Sequence, residues 1–176
     1  MVNQNKLNYP SYGEGEENGY AENLLSALNN GLTLKDVSGI SSEMMDALYK
    51  IAYDYYHLGN LNEAEHLFRF LCTYDFYNPE YAMGLAAVYH LKKNYSKAID
   101  LYALSYLLST DDYRPMFHAG QCNVMLRRSD YARKCFDLVI KNCHDPALCN
   151  KSESYLLVLN HDNTDDNCND LTDEEI

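Results

Sequence analysis

Five sets of residues recur in this chain at one spacing, 34, and no other feature limits its fold so sharply. Ala64, Ala98 and Ala132 keep that spacing, as do Phe68, Tyr102 and Phe136. Three further columns run Ala52, Ala86, Gly120; Leu48, Ala82, Met116; and Ile51, Leu85, Ala119. Small residues fall under small ones and aromatics under aromatics. A period of this length fits two helices of about 14 residues with their turns. On the first helix of each unit a small residue sits where the second crosses closely, and the second answers with its own alanine. The aromatic four residues on shares that face and fills the space toward the next unit.

The pattern resembles the tetratricopeptide repeat. It predicts an all-α fold of three tandem repeats, over about 45–78, 79–112 and 113–146, as helix pairs 45–58 with 62–74, 79–92 with 95–108, and 113–126 with 130–142. Turns are expected at Gly59-Asn60, Lys93-Asn94 and Arg128-Ser129-Asp130, while Pro79 and Pro115 suit helix starts, where a missing N–H costs little. Terminal repeats need covers. An N-terminal helix over 17–30 carries Tyr20, Leu24, Leu25 and Leu28 and stops at Gly31. Ser41-Ser42-Glu43 is an N-capping signal for the first repeat, and residues 147–160 read as a C-terminal capping helix. One domain over 17–160 is then flanked by disordered ends, 1–16 and an acidic tail, 161–176.

Charge supports that division. Of a formal net charge of −12, residues 161–176 hold seven acidic side chains and no Lys or Arg, and residues 1–22 set Lys6 against four glutamates. The body between is close to neutral. It offers no basic face for direct nucleic-acid binding, and the acidic ends would be repelled by an anionic membrane. The start, Met1-Val-Asn-Gln-Asn-Lys6, leads into no apolar run, and no stretch approaches the roughly 18 apolar residues of a membrane span. The six cysteines form no CxxC pair and read as buried free thiols rather than as a disulfide framework. Six scattered histidines give no four-ligand zinc spacing; His118 with Cys122, or Cys143-His144, is better read as helix packing. With no nucleophile–base arrangement and no phosphate loop, neither catalysis, cofactor nor metal is expected.

The first helices of such repeats line a groove. Beside a core stripe of Leu48, Ile51, Ala52 and Tyr55 runs a second one, Tyr49, Tyr53 and Tyr56. Its equivalents are Met83, Ala87 and His90, then Phe117, Gln121 and Val124. An apolar strip with a polar rim is the expected form of a peptide-binding site, and small Ala87 would leave room for an apolar anchor. The competing reading is that the N-terminal segment, or a second copy, covers part of this strip.

Within the repeats, Gly31-Leu-Thr-Leu-Lys-Asp36, Phe68-Arg-Phe-Leu-Cys72, Tyr74-Asp-Phe-Tyr77, Met83-Gly-Leu-Ala-Ala87, Asp112-Tyr-Arg-Pro115 and His118-Ala-Gly-Gln-Cys122 resemble the class II chaperones of bacterial type III secretion, most of all the branch serving invasion-type systems. The likeness covers about residues 20–158. It implies a cytoplasmic bacterial chaperone that holds short extended N-terminal segments of two hydrophobic translocators, keeping them soluble, apart and secretion-competent. The family's aromatic groove positions match Tyr49, Tyr53 and Tyr56. Some members co-activate an AraC-type transcription factor, and members dimerise through the N-terminal region. Departures are the longer acidic tail and Asn123, which suggests looser packing or an exposed polar contact in the third repeat. A repeat adaptor gripping a heat-shock chaperone's C-terminus is the alternative. It would need Lys, Arg and Asn in the groove to clamp a carboxylate, where these columns hold Tyr, Met, Ala, Phe and Gln.

Overall fold

The computed structural model describes residues 29–109 and 111–166, together with Ser26; for 161–166 it describes the backbone alone. Two units divide the chain, Met1–Ser41 and Ser42–Ile176. Most of the helix expected over 17–30 lies outside the described residues, as do both expected disordered ends apart from 161–166. In the first unit Gly31 takes a left-handed φ of +81°, and a one-turn helix, α1 (Leu34–Val37), follows. Thr33 and Asp36 close a capping box there, with the Asp36 carboxylate accepting from the Thr33 N–H at 2.8 Å and the Thr33 hydroxyl at 2.7 Å.

The second unit holds three helix pairs and a closing helix. The pairs are α2 (Ser42–His57) with α3 (Leu61–Tyr74), α4 (Pro79–Leu91) with α5 (Tyr95–Leu108), and α6 (Arg114–Met125) with α7 (Ser129–Asn142); α8 (Pro146–Asp166) closes the stack. No strand occurs among the described residues. Pro79 and Pro115 stand in the first turns of α4 and α6, and Asn78 caps α4 through a 3.0 Å bond from the Glu80 N–H. Each pair turns in the same way. The amides of Asn60, Asn94 and Arg128 donate to Tyr55, Tyr89 and Asn123 carbonyls, all at 2.9 Å, and Gly59, Lys93 and Arg127 carry positive φ.

Packing follows the 34-residue columns. Ala52, Ala86 and Gly120, the alanines 64, 98 and 132, and the aromatics Phe68, Tyr102 and Phe136 are all buried. The helix α8 takes the first-helix role once more. Tyr155 stacks on Phe136 at 4.9 Å and meets Phe117 edge-on at 5.8 Å. Burial pushes the Cys122 thiol up to about 12 and Cys72 to about 11, so neither supplies a thiolate.

Three expectations need correction. Ile51 is 45% exposed and Leu48 only half-buried, whereas Leu85 in the Ile51 column is buried. Leu85 and Ala119 have a preceding pair to pack on; within Ser42–Ile176 nothing precedes α2, and its buried contacts come from Met45 and Ala52 instead. Asn123 neither loosens nor exposes the third repeat. It is buried, and its amide donates to the Ala119 carbonyl at 2.9 Å. The closing helix runs on past 160 to Asp166. Once a helix is nucleated each added residue gains a hydrogen bond, so the polar stretch extends it without any apolar periodicity.

Candidate peptide-binding groove

The first helices α2, α4 and α6 together line two adjoining cavities. One, of about 440 Å³, lies between the α2 tyrosines Tyr49, Tyr53 and Tyr56 and the α4 residues Met83, Gly84 and Ala87. The other, of about 220 Å³, shares Tyr56, Met83, Ala87 and His118 with it and adds His90, Tyr102 and Gln121.

Residue size explains the depth. Gly84 has the Phe68 ring against it so closely that a Cβ would lie 2.2 Å from Phe68 Cε1. Ala87 is the other small residue on that face, so α4 presents a shallow wall to a row of tyrosines. Tyr49 is fixed by ring contacts to Phe68 (6.0 Å) and Tyr81 (5.6 Å). Tyr53 stacks between Tyr49 and Tyr56, at 6.2 Å from each, and is 47% exposed. Burial raises the phenol pKa of Tyr49 and Tyr56, so these rings meet a ligand neutral.

The rim is charged. Lys50 and Asp54 border the larger cavity on α2, Glu80 on α4 and Arg114 on α6. Arg114 is already engaged: Nε reaches both Asp112 carboxylate oxygens at 3.0 and 3.1 Å, and one terminal nitrogen reaches Asp112 and Glu80 at 2.8 Å. Burial works to raise the Asp112 pKa, but the hydrogen bonds from Arg114 outweigh it and hold the carboxyl below its usual range.

The smaller cavity has a polar floor. The His118 ring stacks on Tyr102 at 5.5 Å, and its Nδ1 lies 2.9 Å from Gln121 Oε1, while Gln121 Nε2 donates to the Tyr155 hydroxyl at 3.0 Å. His90 Nδ1 is 3.4 Å from the Tyr102 hydroxyl. Burial lowers the pKa of both histidines, and their mutual repulsion lowers that of His90 further.

Seven of the nine residues expected to line the groove therefore border these cavities: Tyr49, Tyr53, Tyr56, Met83, Ala87, His90 and Gln121. Phe117 and Val124 do not. Phe117 is 5% exposed in a cluster with Phe136 and Tyr155, and Val124 packs against the same cluster, because α8 covers that end of α6. Sequence reasoning overlooked Gly84, Arg114 and His118. Position 84 falls in a column reading Lys50, Gly84, His118, which repeats no chemistry, although a glycine inside a helix is itself a sign of close approach. Among the described residues no group of three or more His, Cys, Asp or Glu side chains could hold a metal ion, and no helix is long and apolar enough to cross a membrane.

Stacked helix pairs with a groove along their first helices define a tetratricopeptide-repeat protein, and the tetratricopeptide-repeat family model matches residues 45–78 and 79–112. The chaperone protein SicA of Salmonella typhimurium is 52% identical over 139 residues, covering 79% of this chain and 84% of SicA. Among solved structures, the type III secretion translocator chaperone SycD of Yersinia enterocolitica superposes with a TM-score of 0.67 at 25% identity, over 72% of this chain and 97% of SycD. PcrH in complex with the chaperone binding region of PopD gives 0.68 at 26% identity, over 71% and 97% of the two chains. The chain belongs to this family of type III secretion translocator chaperones.

Proposed function

We propose that this chaperone acts in the bacterial cytoplasm by seating an extended N-terminal segment of a hydrophobic translocator in the α2–α4–α6 groove. It serves two such translocators, keeping each soluble and apart from the other until export. The observation that carries this reading is the pair of adjoining cavities walled by Tyr49, Tyr53 and Tyr56 on one side and by Gly84 and Ala87 on the other. The similar protein PcrH is solved in complex with the chaperone binding region of PopD, which supports this reading.

Energetics fit a carrier that must let go. Apolar anchors contribute roughly 1.5–3 kcal/mol each when fully buried. Ordering the segment offsets much of that, leaving reversible binding. Arg114 already has Asp112 and Glu80, which speaks against its clamping the C-terminal carboxylate of a heat-shock chaperone.

Titration calorimetry with a translocator N-terminal peptide tests the reading. Truncation of Tyr53 to Ala should weaken binding by about 2 kcal/mol, the usual loss for a central aromatic. Melting should barely move, because half of that ring already faces solvent. A Tyr53→Ala protein that melts early yet binds normally would return the tyrosines to the core.

A further inference from the structure

Three of the chain's five arginines, Arg127, Arg128 and Arg133, fall within seven residues at the α6–α7 turn, and Lys134 follows them. The three arginines, with Ser129 and Tyr131, surround an open concavity of about 370 Å³. Only one acid lies in it, Asp130, which pairs with Arg133 at 3.2 Å. Arg127 and Arg128 are exposed, and neither guanidinium meets a carboxylate among the described residues. On a chain of net charge −12 this is a local reversal of sign.

The path of α8 supplies an occupant. Phe136 stacks on Tyr155, and Arg133 donates to the Leu159 carbonyl at 2.6 Å, so α7 and α8 run antiparallel. Beyond Leu159 the α8 backbone continues to Asp166, which at 1.5 Å per residue is about 10 Å. Going the same way, α7 has only the four residues Ser129–Ala132 before the turn. Residues 160–166 are thereby carried toward Arg127 and Arg128. The stretch 161–176 holds Asp162, Asp165, Asp166, Asp170, Asp173, Glu174 and Glu175 and no Lys or Arg. The ten residues after Asp166 span at most about 35 Å when extended, so none of these acids is out of reach of the turn.

We propose that residues 161–176 dock on the Arg127–Arg128–Arg133 turn of their own chain. The charges attract within a Debye length, about 8–10 Å at ordinary salt. Acids at the C-terminal end of a helix are disfavoured by its dipole, and cations beside α8 offset that penalty. Docked in this way, the tail screens the chain's arginine cluster from acidic partners. The groove plays no part in this contact.

Nuclear magnetic resonance of the full chain decides it. Tail amides should shift when salt is raised from about 25 mM to about 500 mM, where screening is nearly complete. The double variant Arg127→Glu/Arg128→Glu should lose that salt-dependent shift, and so should Asp165→Lys/Asp166→Lys. Combining all four should bring it back. Tail shifts indifferent to salt and to the arginine variant would overturn the proposal, as would a combined variant that fails to restore them. Shifts that grow with protein concentration would overturn the intramolecular form by assigning the contact to a second copy.

Discussion

Tyr53, Ala87, Gln121 and Tyr155 occupy one column of the 34-residue pattern, and the two ends of the stack differ because of what stands in it. Between α2 and α4 the tyrosines of one helix face Ala87 and Gly84 of the next, the Phe68 ring fills the place of a side chain at Gly84, and the larger cavity stays open beside them. Between α6 and α8 the equivalent places hold Ser152, fully buried, and Tyr155, stacked on Phe136 and against Phe117. The same architecture yields a groove where the following helix is small and a core where it is large. A groove position is therefore set by the residue opposite it as much as by its own identity.

The largest expected effect comes from the filled end. Phe117→Ala should cost roughly 3–5 kcal/mol of stability, the usual loss for a buried aromatic, as measured by chemical denaturation. Tyr49 and Met83 share the Phe117 column but line the cavity, so Met83→Ala should cost clearly less. Equal losses at positions 117 and 83 would erase the distinction between the two ends.

Next in size is a change that converts the open end into the filled one. Ala87→Tyr places the Tyr155 residue type in the gap, and peptide affinity should fall by at least 2 kcal/mol, an anchor's worth. Stability should move by little, since the new ring enters existing space instead of overpacking a core. Retained affinity would show that the peptide does not use this cavity.

The architecture was legible in the sequence because the buried columns repeat in kind: alanine under alanine at 64, 98 and 132, aromatic under aromatic at 68, 102 and 136. Periodicity reports what packs identically in each repeat and is silent where repeats differ. Ile51 was misread for that reason: its column is core only where a preceding pair exists. Phe117 and Val124 were placed in the groove by extending the Tyr49 and Tyr56 columns without extending the partner column to Tyr155. His118 and Arg114 carry chemistry in one repeat only, so no spacing could expose them. Their roles follow from tertiary neighbours such as Gln121 and Asp112, which are visible only once the helices are stacked.

Acidity sharpens the comparison through the polar floor of the smaller cavity, with a smaller effect than either substitution. Burial depresses the pKa of His118 and His90 in the folded state below the ordinary value of 6.5. Above 6.5 both states are neutral and stability is undiminished. As pH falls from there toward the depressed folded values, the unfolded chain takes up protons first, and stability is lost. Melting temperature should thus drop between about pH 7 and about pH 5, ahead of carboxylate titration near 4. His118→Gln should flatten the drop. A variant lacking His118 that keeps the full drop would place the titration elsewhere.

The turns set the smallest difference, and they compare all three repeats at one position. Gly59, Lys93 and Arg127 stand 34 residues apart with φ of +77°, +60° and +57°, in one hydrogen-bonding pattern. Only the first is a residue for which that region is free of steric cost. A side chain there costs on the order of 1 kcal/mol from the Cβ meeting the carbonyl that follows, partly offset by the greater freedom glycine has when unfolded. Lys93→Gly should accordingly stabilise by a few tenths up to about 1 kcal/mol, and Gly59→Lys should destabilise by a similar amount. An added Cβ at Gly59 meets nothing within 4 Å, so its cost would be backbone strain alone. Denaturant midpoints of the two variants against the parent measure the pair. If both changes shift stability in the same direction, the three turns are not energetically equivalent despite their shared geometry, and the first repeat's glycine serves something other than its turn.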